Sequence, residues 1–120
     1  MAAITSFRDI IAWQKAHAIV LSIYTLTKKF PIDERFRLVD QMCRAATSVP
    51  ANIAEGFARQ GHQDTLRFYN IAQASLEELK YHMLLAKDLG YISQLEYEQM
   101  FISLEECSKC LYGWIQIKKW

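Results

Sequence analysis

The sequence is poor in the residues that break, staple or anchor a chain. Two prolines and four glycines in 120 residues exclude collagen-like and low-complexity organisation. Three cysteines cannot all pair within one chain, so no disulfide framework is expected, and free thiols in a reducing compartment are. No apolar run approaches the roughly 18–20 residues that span a bilayer. Met1 to Ile10 has no basic stretch followed by an unbroken apolar one, so no signal peptide is expected. A cytoplasmic protein without a membrane partner follows as the expectation. Charge of one sign is missing too. The formal net charge is only +1, which removes any bulk electrostatic case for nucleic acid.

Apolar residues make up 52% of the chain, a globular composition. The length fits one domain over residues 1–120, large enough to bury about two-thirds of its unfolded surface without staples. Charge is unevenly spread. Residues 1–59 hold eight Lys/Arg against five Asp/Glu, and residues 60–120 hold six against eight. A head-to-tail contact between subunits would account for that asymmetry as well as a ligand would.

Apolar spacing by threes and fours predicts an all-α chain. A first helix is read from about Asp9 to Phe30, stopped by Pro31. Its core stripe is Trp13, Ala16, His17, Val20, Ile23, Tyr24, Thr27 and Phe30. Ile10, Ile19, Leu21 and Leu26 widen the apolar arc past half the circumference, where a bundle helix needs little more than ~100°. That surplus predicts a covering partner, with Ile10, Ile19 and Leu26 as candidate oligomer contacts.

A second helix, N-capped by Asp33, takes Leu38, Met42, Ala45, Ala46, Val49, Ile53 and Phe57 as its apolar face. Pro50 lies inside it and is expected to kink it, because it removes one backbone donor and crowds the Ala46 carbonyl. Two helices meeting at Pro50 is the alternative. Gly56 and Gly61 bracket the break before a third helix, about Asp64 to Leu89, which Gly90 ends. Ser93 and Glu96 form a capping box for a fourth helix carrying Tyr97, Met100, Leu104, Cys107, Leu111 and Trp114 or Ile115. Short connections make neighbours antiparallel, so the fold expected is an up-down-up-down four-helix bundle.

Little chemistry is visible. No Glu and His stand three apart as a di-iron bundle site requires, and Glu78 with His82, four apart, makes no cage alone. Cys107 and Cys110 form a C-x-x-C pair in mid-helix, without the strand-to-helix turn of a redox motif or four zinc ligands. Such cysteines are read as small buried hydrophobes. His17, on the apolar face, is read as a hydrogen-bonded core residue. There is no phosphate loop and no nucleophile elbow around Ser48. No enzyme, cofactor or metal is expected.

One stretch stands apart, residues 44–59, RAATSVPANIAEGFAR. Opposite its apolar face runs a polar row of Gln41, Arg44, Ser48, Asn52, Glu55 and Arg59. Ser48 or Asn52 is placed to serve backbone groups disturbed by Pro50, and Glu55 to pair with Arg59. Arginines with amide and hydroxyl donors between them also suit a phosphate backbone. The segment resembles the signature of the small four-helix bundle proteins encoded in bacterial 23S ribosomal RNA intervening sequences. FRDIIAWQKAH, IYTLTKKFP, FYNIAQASLEELKYHM and AKDLGYIS extend the likeness over about Phe7 to Leu111.

The resemblance implies a ring-like homopentamer without established enzymatic activity, related to accessory proteins of diversity-generating retroelements that bind nucleic acid. The motif positions are Arg44, Ser48, Pro50, Asn52, Glu55 and Gly56, with structural or subunit-contact roles implied. The functional expectation is a homo-oligomeric module binding RNA or DNA through Lys28, Lys29, Arg35, Arg37, Arg44, Ser48, Asn52, Glu55 and Arg59. The alternative is a protein-interaction scaffold, anchored by the apolar tail of Trp114, Ile115, Ile117 and Trp120. Trp114 and Trp120 join the candidate oligomer contacts. A thiol or metal enzyme ranks last.

Overall fold

Helix boundaries follow local chemistry. The computed structural model describes residues 3–117, with α1 at Ile11–Thr27, α2 at Leu38–Ala58, α3 at His62–Asp88 and α4 at Gln94–Ile117. The candidate contact Trp120 lies outside the described residues. Before α1, Ser6 and Asp9 close a capping box around a 3-10 turn, Phe7–Asp9. Helical structure therefore starts slightly later than Asp9, and Ile10 is extended. α1 ends at Thr27 rather than Phe30. A second 3-10 turn, Ile32–Glu34, follows Pro31, so Asp33 sits within this turn and does not cap α2. Its neighbour Glu34 accepts from the Tyr91 hydroxyl at 2.7 Å and from the Leu38 N–H at 3.4 Å, tying this connection to the α3–α4 connection and to the start of α2.

α2 is a single helix through Pro50, which rules out the two-helix alternative. The missing Pro50 donor is still expected to bend the axis. Gly56 is a correction: it lies inside α2, and only residues 59–61 separate α2 from α3. A Cβ on Gly56 would stand 2.6 and 2.7 Å from two carbons of the Tyr69 ring. The glycine is there to let α3 come close, not to break the chain. Gly90, at φ 79°, does end α3 in the left-handed conformation. The Ser93–Glu96 box starts α4, with Ser93 Oγ accepting from the Glu96 N–H at 3.0 Å and Glu96 accepting from the Ser93 N–H at 2.8 Å.

Each helix packs on the next and α4 closes against α1, giving the all-α four-helix bundle. The core is built from Ile10, Ala12, Ala16, Ile19 and Ile23, then Met42, Val49, Ile53, Tyr69, Leu76, Leu79, Met83, Leu104, Cys107 and Leu111. Ile10 and Ile19 are 1% and 5% exposed, so these two candidate oligomer contacts belong to the chain's own interior. Tyr24 is 49% exposed and leaves the predicted core stripe. His17 is exposed as well and stacks on Trp13, with ring centroids 5.1 Å apart. Too many apolar residues crowd α1 for its sequence to say which arc faces inward.

Candidate nucleic-acid interface

The polar row of α2 divides in the structure. Its middle turns towards α3: Ser48 Oγ accepts from Ser75 Oγ at 2.9 Å and from Asn52 Nδ2 at 2.9 Å, while the Ser48 carbonyl accepts from the same amide at 2.7 Å. Ser75 is only 8% exposed. The Asn52 amide thus reaches the Ser48 carbonyl one turn back and not the Ala46 carbonyl that Pro50 leaves without its helical donor, and Ser48 spends its oxygen on the helix contact. At the lower end, Arg59 pairs with Glu55 at 2.9 Å and with Asp64 at 3.6 Å. The guanidinium also lies 4.6 Å from the centre of the Phe68 ring, as does that of Arg67. Only Gln41 and Arg44 remain as an exposed, unengaged stretch, and Arg44 makes no ion pair with any described residue.

The other candidate cations sort in the same way. Lys29 is bonded to Glu96, which together with the Ser93 N–H holds the Glu96 carboxyl below its ordinary range. Lys15 reaches Glu106 at 3.7 Å. Lys28, Arg35 and Arg37 have no ion pair among the described residues, and all three sit on the connection from α1 to α2. That corner holds a groove of about 400 Å³ whose lining includes Tyr24, Lys28, Phe30, Ile32, Arg35 and Cys43. Acid is present too. The Tyr91 hydroxyl, with help from the Leu38 N–H and Arg37, lowers the Glu34 carboxyl pKa and keeps it ionised, while Asp33 and Asp40 stay exposed. Composition alone could not separate these cations, because pairing depends on which residues of distant helices lie opposite.

Two of the three thiols are held protonated by burial. Burial pushes the Cys107 thiol up to about 12, with Cys110 adding to the rise, and its Sγ donates to the Ala12 carbonyl at 3.7 Å. Burial also raises Cys43, partly offset by a hydrogen bond with Thr27. A thiol held protonated is a poor nucleophile and a poor metal ligand. Among the described residues, no three His, Cys, Asp or Glu side chains gather as a metal site needs. His82 Nε2 lies 2.9 Å from Glu78 within one face of α3. No helix of the described residues is long and apolar enough to cross a membrane.

Two further positions change meaning. Trp114 and Ile115 pack against the core rather than standing free at the tail, whereas Ile117 is 77% exposed. Leu26 is half-buried and lines a second groove, of about 480 Å³, between α1 and α4. Leu21, Ser22, Thr25, Gln99, Met100 and Ser103 share that lining. Sequence periodicity missed this groove, because small residues on both helices carry no apolar signal.

The fold has relatives. A crystal structure of a protein of unknown function from the S23 ribosomal protein family of Bacteroides thetaiotaomicron superposes with a TM-score of 0.81 at 27% identity, covering 88% of this chain and 96% of that one. No curated protein matches. Residues 8–113 match the 23S rRNA-intervening sequence protein family, a match that takes in all of α1, α2 and α3 and most of α4. The chain belongs to the 23S rRNA-intervening sequence protein family.

Proposed function

We propose that this protein is a non-enzymatic, self-assembling binding module that presents the α1–α2 corner to RNA or DNA. The observation that carries the reading is the clustering of cations: Lys15, Lys29 and Arg59 are paired with acids, whereas Lys28, Arg35 and Arg37 share the α1–α2 connection without ion pairs among the described residues, and the other unpaired cations of this half, Arg8 and Arg44, stand apart from them in sequence. The family's name, which ties it to ribosomal RNA, points the same way. Assembly is supported by apolar side chains that α1 and α4 leave outside, Ile11 at 57%, Leu21 at 57%, Leu95 at 62% and Ile102 at 58% exposed. Five subunits is the number the family resemblance implies.

Light scattering at low and moderate salt, with and without a short structured RNA, tests both parts. A multi-chain mass that rises with RNA only at low salt is the expected result. Replacing Lys28, Arg35 and Arg37 together with alanine should abolish the rise and leave the mass without RNA unchanged. A monomer indifferent to RNA would remove the proposal.

The second reading is a protein-interaction scaffold without nucleic-acid contact, favoured by the same exposed α1 and α4 residues. Leu21→Glu with Ile102→Glu separates the two. Loss of a partner protein from an oligomer that never binds RNA would put the scaffold first.

A further inference from the structure

The α1–α2 corner carries aromatic surface that phosphate contacts alone would not use. Phe36 is 85% exposed, between Arg35 and Arg37, and Ile32 beside it is 74% exposed. The Arg35 guanidinium lies 6.0 Å from the Phe36 ring centre. The adjoining groove of about 400 Å³ falls in the size range of small-ligand sites and is walled in part by Tyr24 and Phe30. Nothing in the bundle needs the Phe36 ring there, since it touches no part of the core.

Charge narrows the choice of ligand. Lys28, Arg35 and Arg37 share the corner with three acids, Asp33, Glu34 and Asp40, and Glu34 is held ionised by the Tyr91 hydroxyl and Arg37, so these six charges leave no local surplus. A duplex offers such a surface mainly its phosphates, and few neutralised phosphates bind weakly. A single strand offers fewer phosphates but bare base faces. Base–aromatic stacking then supplies affinity that the charge cannot. The groove, of about 400 Å³ and lined in part by the aromatic rings of Tyr24 and Phe30, has room and apolar wall for a base.

We infer that the corner binds single-stranded nucleic acid, stacking one unpaired base on Phe36 while Lys28, Arg35 and Arg37 meet the flanking phosphates. The neighbouring groove takes a second base against Tyr24. This inference rests on the nucleic-acid reading above and names its substrate.

The test is fluorescence anisotropy of the full chain in its assembled form with a labelled RNA of about 12 nucleotides, within the ~4–16 of single-strand sites. The RNA is used alone and then annealed to its complement. The single strand should bind about tenfold tighter, and Phe36→Ala should lose about tenfold on the single strand only, as one lost stacked base does. Phe36→Trp should keep the affinity and add a tryptophan signal that changes on binding. Equal binding of both forms, or a Phe36→Ala variant indistinguishable from the parent, overturns the stacking site and leaves the phosphate reading standing. No binding of either form overturns both. A fall in assembled mass on Phe36→Ala makes the ring a subunit contact and overturns the inference as well.

Discussion

At the α2–α3 seam, a single added methyl on Gly56 would meet the Tyr69 ring at 2.6 Å. At the α1–α4 seam, space of about 480 Å³ stays open beside Ser22 and Ser103. The first seam is held by close backbone approach and a half-buried hydroxyl–amide set, Ser48 with Asn52 and Ser75. The second is bridged by long side chains, Lys15 to Glu106 and Lys29 to Glu96, over small residues. α4 fully buries only Leu104, Cys107 and Leu111 along its length, whereas α2 buries eight residues. Stability concentrated on α2–α3 leaves the α1–α4 face free to meet other molecules, as the proposed assembly requires.

The largest expected effect is at the tight seam. Gly56→Ala should destabilise by about 1–3 kcal/mol through overpacking, with up to ~1 kcal/mol returned by helix propensity. Tyr69 is 1% exposed and cannot swing away. Thermal unfolding of Gly56→Ala, Tyr69→Leu and the double variant should show strong coupling, the double being less destabilised than the sum of the singles. Additive effects would mean that the close approach does not hold this seam.

Next comes the hydroxyl set. Ser48→Ala removes the acceptor of two side-chain donors and should cost about 1–2 kcal/mol, since a polar group deprived of its partner loses more than one average hydrogen bond. Ser75→Ala should cost less, because Asn52 still serves Ser48. The reverse order in urea unfolding would reassign the geometry.

This seam also shows what sequence could and could not convey. Gly90 and the Ser93–Glu96 box were legible because a helix end is a local event, decided by residues a few positions apart. Gly56 was misread as a break because nothing local distinguishes a glycine that ends a helix from one that admits a neighbouring ring. Ile10, Ile19, His17 and Tyr24 were misassigned because α1 has more apolar residues than a bundle face needs. The corner cations were visible as candidates, but their separation from Lys29 and Arg59 required Glu96, Glu55 and Asp64 to be placed in space.

Smaller effects belong to the ion pairs linking α4 to its neighbours. Lys80 reaches Glu105 at 2.6 Å and Glu77 at 2.8 Å with its side chain only 12% exposed. Burial works against its charge, but these bonds outweigh burial and raise its pKa. Lys80→Ala should cost about 1 kcal/mol, the upper end for such pairs.

The carboxylates give a pH dependence. Lys80 lowers Glu105, Lys29 lowers Glu96 and Tyr91 lowers Glu34. A depressed acid stabilises the fold above its unfolded pKa and loses that contribution as pH falls through the folded value. The melting temperature should therefore hold near neutrality and drop below about pH 5. Glu96→Gln should shrink the drop; an unchanged acid profile would remove Glu96 from the account.

The smallest effect is expected where the seam is open, and it sharpens the contrast most. Ser103→Leu adds more atoms than Gly56→Ala does, yet it points into the α1–α4 groove, where Leu21 and Met100 can meet the new side chain. Its stability should stay within about 0.5 kcal/mol of the parent, as surface changes that neither clash nor strand a polar group do. Thermal unfolding and light scattering of this variant together separate two roles. Unchanged melting with a reduced assembled mass would place a subunit contact on the α1–α4 face. A melting loss as large as that of Gly56→Ala would show the groove to be as tightly fitted as the α2–α3 seam, and the division of labour between the two seams would not hold.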